Sequence, residues 1–539
     1  MIGATLTRES AGVREGGAIV VHNMLISDFI RFAATQEPDA PALVFDGETT
    51  TFGELDRHVH QLANGLLEVA APGERVAILA ENIPEYVHAY YGVPLAGMVL
   101  TFLNYRLHPR EIEKILANSG AEVLIVEPGY HEQLREIGAT AALRQVLVTG
   151  DGPIPSDANT ARYGDLISQA ATGSPAVEVD DGTLAWLIYT SGTTGLPKGA
   201  MLSHRNLIAA VANSVMSWVR GTGPTITLTP WPLCHVAGYT VLVTHANKRP
   251  IVLMRGYEPE AYLSSIERYQ ITDTSVAPTM LSMLLRHPKI DHYDLDSVQR
   301  IGYGAAAMPL EVLKAGMARF PKAQFLTGFG MTELGGNVLY QSPEAHVRAL
   351  AGESQLLASV GRPMPLGSVR VVDDQLEDVK PGEVGELVVR GPQVTMGYWD
   401  NPAATEEAFA GGWFHSGDLA KRDGEGNFYI VDRKKDMIVT GGENVYSREV
   451  EEVIYCHPGV AEAAVVGVPD DHWGEIIVAV IQLREGADPD PDGIVELCRE
   501  NLAGYKKPRR VEFVGELPRN AAGKILKRDL RIRVGQPPA

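Results

Sequence analysis

The sequence predicts an α/β protein: parallel sheets first, then a small, more antiparallel or barrel-like unit, then a compact α+β unit. Three observations carry this. Short apolar runs alternate with amphipathic stretches up to about Ser359, the βαβα rhythm of parallel sheets covered by helices. Beyond Ser359 the strands are separated by Gly- and Asp-rich turns instead. A chain of 539 residues is also too long for one hydrophobic core.

The elements follow in order. "RVAILA" (Arg75–Ala80) is a buried strand, and "IPEYVHAYYGVPLAGM" is a helix with a break expected near Pro94. "AEVLIVEP" and "RQVLVTG" are further strands. "TLAWLIYT" (Thr183–Thr190) is a buried strand, and "SHRNLIAAVANSVMSWV" is a proline-free helix starting at an N-cap, Ser203. "GSVRVVDD", "GELVVRGP" and "GNFYIVDR" form the antiparallel unit. After the basic cluster Arg433-Lys434-Lys435, "VAEAAVVGVPD" and "EIIVAVIQL" are strands and Asp490–Ala503 is a helix. The change of unit falls near Asp432. Residues 1–23 lack the apolar core of a signal peptide and read as a loose leader.

Composition narrows the function. Hydrophobic residues are 45% and charged residues 21%, as in globular enzymes. The formal net charge of −20 argues against general binding to nucleic acid or anionic membrane. Three cysteines, Cys234, Cys456 and Cys498, form no CxxC pair, which fits a reducing cytosol and excludes a cysteine-rich zinc site. The longest apolar stretch, around Leu95–Leu103, is far short of the ~18 residues of a membrane span. A cytoplasmic protein without an integral membrane segment is expected, and a homodimer is compatible with the sequence.

The most informative stretch is "YTSGTTGLPKG" (Tyr189–Gly199). Glycines allow backbone N–H groups to converge on an anion, hydroxyls add donors, and Lys198 adds a mobile charge. These are the ingredients of a triphosphate cradle. It is not a Walker loop, because Lys198 stands between Pro197 and Gly199 rather than before Ser or Thr. A shorter fragment would read as an ordinary surface turn.

All eleven residues match, without mismatch, the phosphate loop of the adenylate-forming superfamily, which joins acyl-CoA synthetases, luciferases and the adenylation domains of peptide synthetases. The resemblance runs from about Ser27 to Leu530, with further segments in the expected order. It implies a large domain (24–434) of two βαβ-type parallel-rich subdomains plus the small β-barrel-like one, and a small mobile α+β domain (435–539) hinged at Lys435. ATP contacts are implied for Thr190, Ser191, Gly192, Thr193, Thr194, Gly195 and Lys198. In "GYGAAAMP" they are implied for Gly304, Ala305 and Ala306. "GFGMTELGG" implies Gly328, Phe329 against adenine, Gly330, Met331, Thr332 at the α-phosphate and Glu333 as the Mg²⁺ ligand. Asp418 of "GWFHSGDLA" matches the carboxylate that holds the ribose hydroxyls, and Arg433 a second nucleotide contact. Lys524 of "PRNAAGKILKRDL" matches the catalytic lysine.

"PWPLCHVAG" (Pro230–Gly238) resembles the border of the acid pocket, implying Trp231, Cys234, His235 as a gate, and Gly238, with Tyr303, Gly304 and Ala305 opposite. Cys234 stands where many relatives carry phenylalanine, which enlarges the pocket. Ala305 stands where many carry glycine, which narrows it slightly. A Cys234–His235 dyad is disfavoured, since neighbours in a strand face opposite ways. Gly441, Gly442 and Glu443 match the loop that lines the pantetheine tunnel of CoA. From Tyr505 to Arg533 there are ten Lys/Arg against three Asp/Glu, with few aromatics for base stacking, which suits a small polyanion.

The activity implied is ATP-dependent formation of acyl-CoA through an acyl-adenylate, using Mg²⁺ and CoA on a medium- or long-chain fatty acid or another hydrophobic acid. Loading a carrier-protein phosphopantetheine and a luciferase-type oxygenase are the alternatives. No carrier-like segment follows Leu530. A non-catalytic nucleotide-binding protein would be expected to lack Lys524 or Glu333.

Overall fold

A computed structural model describes residues 24–190, 197–218, 225–306, 308–520 and 523–535. Strands Arg75–Leu79, Val99–Phe102, Val123–Val126, Gln145–Val148, Thr160–Arg162 and Leu184–Thr190 run parallel in one seven-stranded sheet. Lys198–Ser203 adds an antiparallel edge. Strands Pro41–Phe45, Thr227–Thr229, Ile251–Leu253, Asp273–Val276, Arg300–Tyr303 and Gln324–Met331 form the parallel body of a nine-stranded sheet, with antiparallel strands at both edges. Buried helices between the two sheets bury Tyr86, Tyr90, Tyr91 and Trp186 in the largest core.

The helix that holds Pro94 runs from Pro84 to Leu95, so it ends one residue past the proline near which a break was expected. Proline has no N–H for the carbonyl four residues back, that of Tyr90. The Trp186 indole N–H, from the neighbouring sheet, donates to that carbonyl at 3.2 Å. The helix Ser203 was expected to cap begins at His204, and Ser203 Oγ accepts from the Asn206 N–H at 3.2 Å.

The antiparallel unit is a four-stranded sheet of Ser368–Val372, Val384–Arg390, Phe414–Arg422 and Phe428–Arg433. After Arg433 the chain enters a separate five-stranded sheet, built around the long hairpin Val460–Asp470 and Gly474–Leu483. That sheet has apolar clusters of its own on both faces.

Candidate active site

Strands Leu184–Thr190 and Lys198–Ser203 form a hairpin that brings Thr190 opposite Lys198. Its tip includes Ser191, Gly192, Thr193, Thr194 and Gly195, which lie outside the described residues. The base of the tip is anchored, as Tyr189 Oη donates to Asn118 Oδ1 at 2.7 Å and Trp399 Nε1 to the Asn118 carbonyl at 3.2 Å. The Lys198 ammonium lies over the Tyr398 ring, 5.0 Å from its centre.

A second hairpin carries "GFGMTELGG". Its glycines answer a packing demand: a Cβ on Gly330 would lie 2.0 Å from the Gly336 carbonyl oxygen, and one on Gly328 would lie 2.6 Å from Asn337 Nδ2. Phe329 and Met331 are half-buried against the core under the four-stranded sheet. Thr332 and Glu333 lie in the tight turn between the strands. Glu333 is buried, and Tyr398 Oη donates to its Oε1 at 3.0 Å. The Thr395 N–H donates to the Glu333 carbonyl at 2.7 Å. Burial first, then the Glu333 charge, hold the Tyr398 phenol well above its ordinary pKa, so it remains a donor.

Asp418 is opposite Arg433 in the four-stranded sheet, and Arg433 Nε contacts Asp418 Oδ1 at 2.8 Å. The other oxygen, Oδ2, is buried and has no hydrogen-bond partner among the described residues. A buried carboxylate oxygen without a donor is costly, so it marks a place where a ligand hydroxyl belongs. Burial pushes the Asp418 pKa up to about 6, with Arg433 and Lys524 pulling it down and Glu333 and Asp432 adding to the rise.

Lys524 reaches the same place from the C-terminal sheet's unit. Its loop turns at Gly523 (φ +79°), and the Lys524 N–H donates to Asn520 Oδ1 at 2.9 Å. The side chain is open to the cleft yet crowded by protein, and this crowding lowers its pKa first. Arg433 and Lys435 push in the same direction, while Asp418 and Glu333 oppose them. Lys435 is also lowered, chiefly by burial.

The seam between the units is polar. Asp432 Oδ2 accepts from the Ser447 N–H at 2.5 Å and from its hydroxyl at 2.8 Å. Within the C-terminal unit, Arg531 pairs with Asp436 at 2.9 Å and donates to the Lys435 carbonyl at 3.3 Å.

On the pocket side, Trp231 Nε1 donates to Ser275 Oγ at 2.5 Å, and buried Asn82 bonds Trp231, Leu233 and Met254. Gly238 is required by contact, since a Cβ there would lie 1.9 Å from Tyr90 Oη. Cys234 and His235 lie in a turn leading to the short helix Val236–Gly238, not in a strand, so the alternation argument against a dyad does not apply. Burial disposes of the dyad instead, pushing the Cys234 thiol up to about 12. His235 is lowered to about 4 by burial, then by Arg106 and Lys524, and is neutral at physiological pH. Tyr303 Oη shares a hydrogen bond with His346 Nε2 at 2.9 Å. Next to it, Gly304 and Ala305 follow strand Arg300–Tyr303, with Ala305 at φ +67° and Ala306 exposed beside it. The Tyr239 ring lies 2.8 Å from where a Gly336 Cβ would be, and packs edge-on against Trp218.

The structure therefore brings Glu333, Asp418, Arg433, Lys435 and Lys524 together, with His235 at the border. Gly441, Gly442 and Glu443 are exposed in the turn between Ile438–Thr440 and Glu443–Val445, beneath Trp473. Both glycines have positive φ (59° and 85°), so the hairpin itself requires the pair. Tyr398, Asn82, Asn118, Ser275 and His346 escaped the sequence reading. "GYWDNP" around Tyr398 carries a turn signal, but nothing pointing to Glu333. Among the described residues no group of three or more His, Cys, Asp or Glu could hold a metal ion. A lone carboxylate fits a Mg²⁺ that arrives already bound to nucleotide phosphates, which needs one or two protein carboxylates.

Lys198, Glu333, Asp418 and Lys524 thus come from four separate segments, the last of them in the C-terminal unit. Residues 30–399 match the family described as AMP-binding enzyme, and residues 449–524 match the AMP-binding enzyme C-terminal domain. The chain belongs to this family of adenylate-forming enzymes, and it is an acid–thiol ligase of the AMP-forming type. It is 39% identical over 508 residues to a feruloyl-CoA synthase of an Amycolatopsis species, covering 93% of this chain and 97% of that one. It is 33% identical to a long-chain-fatty-acid–CoA ligase of Bacillus subtilis, covering 94% of each. The solved amide bond synthetase McbA of Marinactinospora thermotolerans superposes with a TM-score of 0.83 at 31% identity, covering 95% of this chain and 100% of that one.

Proposed function

We propose that the enzyme joins an apolar carboxylic acid to CoA in the cytoplasm, in two steps through an acyl-adenylate. In the first, a carboxylate oxygen of the acid attacks the α-phosphorus of ATP and the bond to pyrophosphate breaks. In the second, the CoA sulfur attacks the acyl carbon, its proton is lost, and the bond to AMP breaks.

The observation that carries this reading is Lys524 beside Asp418, whose buried Oδ2 has no partner among the described residues. Two ribose hydroxyls would supply the missing donors, and Lys524 would meet the charge developing at the α-phosphate. Positioning and charge stabilisation are most of what such a transfer asks of a protein. Thr190, Lys198 and the intervening tip would hold the β- and γ-phosphates, Thr332 the α-phosphate, and Gly304, Ala305, Ala306 and Phe329 the adenine. Glu333 would hold Mg²⁺, which when bound neutralises phosphate oxygens. The arrangement with Lys524 in the cleft serves the first step. Rotation of residues 435–539 about Lys435 against residues 24–434 would withdraw Lys524 and present Gly441, Gly442 and Glu443 to the pantetheine arm.

The acid is an apolar one. Trp231, Tyr303 and neutral His235 carry no fixed positive charge themselves, and the cations that act on this border are Arg106 and Lys524. Tyr239, buried against Gly336 and packed edge-on with Trp218, would form an aromatic end wall if the acid pocket extends to it. That wall and the feruloyl-CoA synthase relative favour a compact aromatic acid over a long acyl chain. Acid-dependent exchange of radiolabelled pyrophosphate into ATP tests the first step, and a screen of CoA consumption over acids of graded length and ring content tests the second. Exchange with no acid at all would overturn the reading. Exchange without CoA consumption would move the acceptor to a carrier protein or an amine.

A further inference from the structure

Tyr398 lies between two charges of opposite sign. It is 8% exposed, its hydroxyl donates to Glu333 Oε1 at 3.0 Å, and the Lys198 ammonium lies 5.0 Å from its ring centre. Its backbone is fixed on the strand that carries Lys198. Ala200 and Tyr398 form an antiparallel bridge, and the Trp399 N–H donates to the Gly199 carbonyl at 2.8 Å. The Tyr398 N–H donates to Thr405 Oγ1 at 2.9 Å, and Gly397 before it takes φ +125°, a left-handed value that favours glycine.

Among the described residues Lys198 and Glu333 form no ion pair. Direct pairing would consume both charges that a magnesium–nucleotide complex needs. A phenol between them gives the carboxylate a neutral donor and gives the ammonium a π face, which releases its cation readily when phosphate oxygens compete for it. We propose that Tyr398 is a positioning residue for adenylation: its hydroxyl orients Glu333 toward the divalent cation that accompanies ATP, and its ring berths Lys198 until the phosphates take it. This rests on the function proposed above.

The test is Mn²⁺ binding, followed by electron paramagnetic resonance on the whole protein with α,β-methylene-ATP and no acid. Tyr398→Phe keeps the ring and removes the hydroxyl. Mn²⁺ affinity should fall about tenfold, the usual effect of removing a partner of a metal-bound carboxylate, while metal-free affinity for the analogue stays unchanged. Tyr398→Leu removes the ring as well; because the ring holds Lys198 only in the ligand-free protein, metal-free affinity for the analogue should then rise about threefold. Wild-type Mn²⁺ affinity in the Phe variant would overturn the hydroxyl's role. Equal loss of metal-free and metal-dependent binding in that variant would show a purely structural residue and would also overturn it. Unchanged analogue affinity in the Leu variant would overturn the ring's role. If the wild-type protein bound no Mn²⁺ with the analogue, the functional reading itself would fall, and this proposal with it.

Discussion

Asp418 and Lys524 share one cleft, but the chain holds them by different means. Asp418 stands in the middle of a nine-residue strand, 3% exposed, with Arg433 across the ladder and its backbone N–H bonded to Ser416 Oγ at 3.0 Å. Lys524 sits on a loop that turns at a left-handed glycine, tied by backbone contacts to Asn520 and by polar bonds at the Asp432–Ser447 seam. Asp418 is set within a sheet of the large unit, whereas the unit that carries Lys524 meets the large one through polar contacts such as Asp432–Ser447, itself buried. On the function proposed above, the large unit would bind and the small unit would deliver, and that division would allow one cleft to serve two reactions.

The sharpest way to break this comparison is Lys524→Ala. Adenylate formation should fall by about 10²–10³, the scale of losing one charge-stabilising group at the transition state. Thioester formation from supplied acyl-adenylate should persist, and equal loss of both steps would remove the delivery role. Gly442→Trp should do the reverse, cutting thioester formation on the order of a hundredfold while sparing pyrophosphate exchange, because a misplaced thiol arm loses that much. Gly442 has open space around it, so only the left-handed φ, worth about 1–2 kcal/mol, acts on the fold.

A change at Asp418 sharpens the binding half. If its ionised carboxylate accepts from both ribose hydroxyls, as proposed, AMP should bind best above the Asp418 pKa of about 6 and progressively less well as pH falls through it. Asp418→Asn should weaken AMP by about tenfold and flatten that pH profile, as isothermal titration across the range would show. The smallest effect belongs to Ala305→Gly. It relieves a left-handed alanine and should stabilise the large unit by about 0.5–1 kcal/mol, read as a higher denaturant midpoint, while admitting slightly bulkier acids.

Much of this is legible in the amino-acid sequence. Buried parallel strands such as Val123–Val126 advertise themselves as short apolar runs, because both faces of their sheet are covered. Motif segments kept their order along the chain, and their glycines were visible as glycines. The reasons for those glycines were not. Gly330 and Gly336 are set by the approach of two strands, whereas Gly441 and Gly442 are set by a turn. The apolar run around Cys234 predicts a strand, but the residue lies in a turn, which a short apolar run does not by itself distinguish. The Tyr90 carbonyl freed by Pro94 found its donor in Trp186, far along the chain.

The amino-acid sequence alone determined the class of fold, the family and the inventory of charged groups, because these follow from local periodicity and from motifs read within a few residues. Only the tertiary structure decided which oxygen of Asp418 is left without a donor among the described residues, that Lys524 lies in the cleft with it, and that Tyr398 separates Lys198 from Glu333. Each of these depends on strands and loops distant in sequence being pressed together. Burial, and with it the cost of an unmet polar atom, exists only after the chain has closed on itself.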